Sequence, residues 1–60
     1  MFYVLYSPSH NQYLSEDDEF VSFDKAEQVR QPDQFLFNVA QEYCEDIRWV
    51  GPLDEGDGEP

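Results

Sequence analysis

The chain has 60 residues, with fourteen acids against three bases and a formal net charge of -11. A chain this short is one small domain at most and buries only about 60% of its unfolded surface, leaving little interior for a ligand-engulfing pocket of roughly 300–1,000 Å³. The charge argues against nucleic acid or anionic lipid as the direct partner, since both need Lys and Arg against phosphate, and it favours a basic partner.

Residues Phe2 to Tyr6 form a short apolar run bounded by the turn formers Ser7-Pro8-Ser9-His10-Asn11. That pattern predicts a strand followed by a hairpin loop. Phe2, Val4 and Tyr6 fall on one side and Tyr3 and Leu5 on the other, so the strand is expected to be central or covered on both faces. Tyr13-Leu14-Ser15 is the expected return strand. Glu16, Asp17, Asp18 and Glu19 repel one another and belong on a loop or hairpin tip. Phe20 to Phe23 resumes an extended pattern, and Asp24 with Glu27 resembles a capping box opening a short helix from about Lys25 to Arg30.

A second helix is expected over about residues 33–46. Pro32 suits its first turn, Gln31 or Asp33 flanks its start, and Asp33 complements the positive end of the dipole. At steps of about 100°, Gln34, Asn38, Gln41, Glu42, Glu45 and Asp46 share one arc. Leu36, Phe37, Val39, Ala40, Tyr43, Cys44 and Ile47 share the other. Phe35 sits at the boundary, beside Glu42 and Asp46. Ile47 to Val50 is rich in strand formers and ends at Gly51-Pro52. From Asp54 onward only acids, glycine and proline remain, the composition of a disordered acidic tail.

These elements predict an α+β fold: a small antiparallel sheet of two to four strands with one main amphipathic helix on one face. Residues 1–52 form the expected domain and 53–60 the tail. Ten aromatic residues separate the chain from disordered acidic tails, which lack them. Each ring buries ~150–250 Å² and builds a core efficiently. Cys44 is alone, so no intramolecular disulfide forms and a reducing cytoplasm is the expected location. Met1 to Tyr6 lacks a basic region of the secretory type, and no stretch approaches the ~18 apolar residues of a transmembrane helix.

Catalytic chemistry is poorly represented. His10 is the only histidine and lies in a turn. A pair with Cys44 is conceivable on paper, but Cys44 falls on the apolar helix face, where a small buried thiol is the usual occupant. No phosphate-cradling loop, nucleophile elbow or paired metal ligands occur. Neither acidic cluster matches a calcium loop. No enzyme activity, cofactor or metal is expected.

Surface charge remains. The acids form three groups: Glu16 to Glu19 on a loop, Glu42, Glu45 and Asp46 on the polar helix face, and Asp54 to Glu59 on the tail. The bland reading is solubility. The sharper one is mimicry of nucleic acid, because carboxylates at i, i+3 and i+4 lie about 5–6 Å apart and B-DNA carries one charge per about 1.7 Å of axis. A third reading uses the aromatics: Phe35 and Trp49 are candidate contacts for a partner, for a homodimer or beside a sheet edge that a partner strand extends.

The segments Phe2 to Pro8, Tyr13-Leu14-Ser15, Phe20 to Ala26 and Pro32-Asp33 resemble a layout of small phage-encoded proteins. In these a hairpin of the "YVLY…YL" type precedes "DKA" and a helix. In size, charge and layout over most of residues 1–50, the chain is similar to the acidic inhibitors that phages make early in infection. These include DNA-mimicking antirestriction proteins, anti-CRISPR proteins, uracil-DNA glycosylase inhibitors and RNA polymerase inhibitors. The resemblance implies a stoichiometric inhibitor with no catalysis, and the acidic surface points to the basic surface of a host nucleic-acid-binding protein as its target. The expected contacts are Glu16, Asp17, Asp18, Glu19, Glu42, Glu45 and Asp46. The alternative is a host-protein inhibitor or adaptor acting through exposed aromatics or a sheet edge, with acidity serving only solubility and steering.

Overall fold

The computed structural model describes residues 1–54. Four strands form one antiparallel sheet in the order β3-β2-β1-β4: β1 is Phe2–Ser7, β2 Gln12–Leu14, β3 Phe20–Val21 and β4 Arg48–Leu53. One helix, α1 (Gln34–Tyr43), lies between β3 and β4 in sequence. The fold is the small α+β arrangement that the alternation of apolar runs and turn formers predicts.

β1 is central, as its two apolar faces require. On one face Leu5 joins Leu14, Ala40, Cys44 and Ile47, with Phe20, Phe37 and Trp49 packed against them. On the other, Phe2 and Val4 meet Ala26, with Tyr13, Val50 and Leu53 alongside. The helix thus covers one face, and the segment after β3 covers part of the other. This second layer explains how a short chain shelters both sides of its central strand.

That segment corrects the short helix expected from Lys25 to Arg30. Only a single 3-10 turn forms, over Phe23–Lys25, and Asp24 lies inside it rather than capping a helix. The Asp24 carboxylate instead accepts from the Ser22 hydroxyl at 2.5 Å, which holds its pKa below the usual carboxylate range. Beyond the turn the backbone runs extended. The Val29 amide donates to the Tyr3 carbonyl at 3.0 Å, and the Tyr3 amide donates to the Val29 carbonyl at 2.7 Å. The Glu27 amide donates to Leu14 at 3.1 Å. Burial of Ala26 at the sheet and these backbone bonds outweigh a local helix propensity worth only tenths of a kcal/mol, roughly, per residue.

α1 begins at Gln34, close to the expected start, but with Pro32 ahead of the helix rather than in its first turn. Asp33 is the N-cap, its carboxylate accepting from the amides of Phe35 (2.8 Å) and Leu36 (3.3 Å). It ends sooner than expected, at Tyr43. Cys44 turns to extended backbone as the C-cap, and the Ile47 amide bonds to Cys44 at 3.2 Å. The early stop lets Cys44 and Ile47 both reach the core before β4 begins.

β4 in turn passes through Gly51-Pro52 and ends at Leu53, which pairs with Phe2. The chain passes because residue 51 is glycine. Its φ is +144°, and a Cβ there would stand 2.7 Å from Tyr3 Cδ2 and 2.9 Å from the Phe2 carbonyl oxygen. Among the described residues no helix is long and apolar enough to cross a membrane. The expected boundary after residue 52 is corrected: Leu53, placed in the tail, belongs to β4 and packs against the Phe2–Val4 cluster, so that of the expected tail only Leu53 and Asp54 lie within the described residues.

Candidate functional site

The sequence-derived contacts divide between the two ends of β2. Glu16, Asp17, Asp18 and Glu19 form the β2–β3 loop, and all four are exposed. The Ser15 hydroxyl gathers this loop, accepting from the amides of Asp17 and Glu19 at 3.2 Å each. The Ser15 amide donates to Glu19 (2.8 Å), and the Asp18 amide to Ser15 (3.0 Å). Asp18 adopts φ +62°, a left-handed conformation that Asp tolerates better than most residues. The backbone is therefore held, and the carboxylates fan outward from a defined turn.

Beside this loop runs an open groove of about 550 Å³. Ser15, Glu16, Asp17 and Glu19 line it from the loop, Lys25 from the end of the 3-10 turn and Glu27 from the segment after it. Four acidic residues and one lysine thus share this groove. Glu27 registers the crowding. Its partial burial, with the nearby charges of Glu16 and Asp18, raises its pKa above the ordinary glutamate value. Sequence separation hid this partner: Glu27 stood in an expected helix, and only the extended course of the chain brings it to the loop.

The second expected group does not form one surface. Glu42 is exposed on α1, but Glu45 and Asp46 lie beyond its end, so the expected row at i, i+3 and i+4 is absent. Asp46 is also engaged. It accepts from the Ser9 amide (3.2 Å), the Ser9 hydroxyl (3.3 Å) and the Cys44 thiol (2.5 Å). These bonds, the thiol's first, hold its pKa below the usual carboxylate range.

Asp46 closes a longer network. The fully buried Ser7 hydroxyl lies 3.0 Å from Cys44 Sγ and 2.8 Å from His10 Nδ1. One proton arrangement satisfies the contacts in series: His10 Nδ1 donates to Ser7 Oγ, Ser7 to Cys44 Sγ, and Cys44 to Asp46. The His10 ring stacks on Phe20 with centroids 4.0 Å apart. The imidazole reaches the thiol only through Ser7, the thiol is 5% exposed, and the carboxylate bonds the thiol rather than the imidazole. This network ties the β1–β2 loop to the α1–β4 turn. It differs from a catalytic dyad, in which a base faces an accessible nucleophile. Among the described residues no group of three His, Cys, Asp or Glu side chains is placed to hold a metal ion.

No protein-family model matches the chain, and no curated protein or solved structure is significantly similar to it. The functional reading therefore rests on the surface itself.

The two aromatic candidates also separate. Phe35 is 73% exposed on α1. Trp49 is half-buried, packed against the Leu5 cluster and edge-on to Tyr3 with centroids 6.5 Å apart. Tyr43, placed by periodicity on the core arc, is 52% exposed because α1 ends there. Neither sheet edge offers a long regular ladder. β3 has two residues, and β4 carries Pro52, which has no N–H.

Proposed function

We propose that this protein is a non-enzymatic, cytoplasmic binding protein that inhibits a host nucleic-acid-binding protein by occupying its basic site with a DNA-like negative surface. The supporting observation is the acidic groove, where Glu16, Asp17 and Glu19 from one segment meet Glu27 from another on a hydrogen-bonded frame. A cationic side chain entering the groove relieves the repulsion and neutralises carboxylates that already stand in place. Such pre-organisation favours affinity, and the net charge of -11 speeds encounter.

The reading moves the principal contacts to Glu16, Asp17, Glu19 and Glu27. Asp46 serves the fold, and Glu42 and Glu45 contribute to the wider field. The test is capture of lysate proteins on the immobilised chain, with and without excess duplex DNA, across a salt series. The expected catch is dominated by nucleic-acid-binding proteins that DNA displaces and salt releases. Combined Glu16→Gln, Asp17→Asn and Glu19→Gln changes should reduce it at least about ten-fold, the equivalent of 1.4 kcal/mol. A catch indifferent to DNA, salt and these changes would refute the proposal.

A further inference from the structure

On α1 the apolar side chains span a wider arc than the sheet covers. Ala40 and Cys44 are buried against Leu5, and Phe37 packs on the same cluster. Phe35, Val39 and Tyr43 follow at i, i+4 and i+8, each step about 40° around the helix, along the flank of that buried face. Phe35 and Tyr43 are 73% and 52% exposed, and Val39 between them is half-buried. A lone exposed ring is ordinary. Two rings and a valine in one row match the spacing by which amphipathic helices seat in partner grooves. The row has an acidic border: Glu42 is the only charged residue within α1, and Asp33, Glu45 and Asp46 flank its ends.

We propose that the Phe35–Val39–Tyr43 stripe is the apolar anchor of the protein's complex, seating in an apolar pocket that the partner protein rims with Lys or Arg. The proposal rests on the reading that the partner is basic, and charge selects that occupant. A second copy would bring two chains of net charge -11 together and set Glu42 against an acidic helix end. Residues 55–60 are three acids, two glycines and a proline, with no large apolar side chain among them. A basic rim satisfies Glu42 while the rings are desolvated, the pattern of a hot spot inside a polar border.

Two synthetic helical peptides of equal positive charge provide the probe, one built from Lys and Leu, the other with every Leu replaced by Gln. Affinities are measured by titration, the contact by amide chemical-shift mapping, and the oligomeric state by light scattering. The Lys/Leu peptide is expected to bind at least about ten-fold tighter, a difference of 1.4 kcal/mol, and to shift the amides of Phe35, Val39 and Tyr43. Combined Phe35→Ala and Tyr43→Ala, both at exposed positions, should erase that preference and leave Lys/Gln binding unchanged. Equal affinity for the two peptides overturns the anchor while leaving the acidic reading in place, as does a preference that survives the double substitution. A chain that self-associates through α1 and separates on Phe35→Ala also overturns it. Failure of both peptides to bind overturns the basic-partner reading and this proposal with it.

Discussion

At one end of β2, Asp46 accepts three hydrogen bonds from Ser9 and Cys44 and its pKa is lowered. At the other end, Glu27 is partly buried beside Glu16 and Asp18 and its pKa is raised. Both carboxylates belong to the same acid-rich chain. One is surrounded by donors and has become part of the scaffold; the other is partly buried with the charges of Glu16 and Asp18 nearby. Net charge alone does not assign a role to an acid. The protons pointed at it do.

The contrast has opposite consequences for stability against pH. Asp46 is more acidic folded than unfolded, so its stabilisation is present above the unfolded value and is lost as pH falls through the folded one. Glu27 is less acidic folded than unfolded. Its contribution is most favourable below the ordinary value of 4.5 and is lost as pH rises through the folded value. At neutral pH the first carboxylate supports the fold and the second burdens it.

The largest test of this contrast is Cys44→Ala. It removes a buried thiol, the donor to Asp46 and the partner of the buried Ser7 hydroxyl. The expected cost is about 1.5–3 kcal/mol in urea unfolding. An unchanged midpoint would mean that the network bears no weight. A smaller loss is expected for Asp46→Asn, with Asp17→Asn as the matched change in the groove. The first should lower the thermal midpoint at neutral pH, and its deficit should close as pH falls through the folded pKa of Asp46. The second should leave the midpoint level or raise it. Equal effects would erase the distinction between the two ends. The smallest change is a slight gain from Glu27→Gln at neutral pH, because Gln reproduces the uncharged form. The gain should shrink in high salt and vanish in acid, where Glu27 is protonated in both states. A loss at neutral pH would contradict an ionised Glu27 that burdens the fold.

Much of the scaffold was legible in the residues themselves. The two apolar faces of Phe2 to Tyr6 required a central strand, and β1 is central. The helix stripe and Asp33 located α1, and Ala40 and Cys44 are buried as their arc demanded. Local patterns carry this information because strand and helix periods are properties of neighbouring residues. The misreadings fell where a distant contact outcompeted a local signal. The Asp24–Glu27 spacing suggested a capped helix, but Val29 pairs with Tyr3 and Ala26 covers the sheet. The polar arc was extended to Asp46, but Cys44 had to leave the helix for its place in the core.

The site divides along the same line. Composition and charge by themselves determined that the chain is small and acidic, because charge is additive and needs no coordinates. They placed Glu16 to Glu19 on a loop for the same reason: adjacent carboxylates cannot be buried together. Only the tertiary structure decided which acids lie together. It brought Glu27 to the loop, gave Asp46 to Cys44 and Ser9, and left Phe35 and Tyr43 in the open while Trp49 went half inside. Coulomb interaction, hydrogen bonding and burial all depend on separations of a few ångströms, and those separations follow from how residues far apart in the chain are folded together.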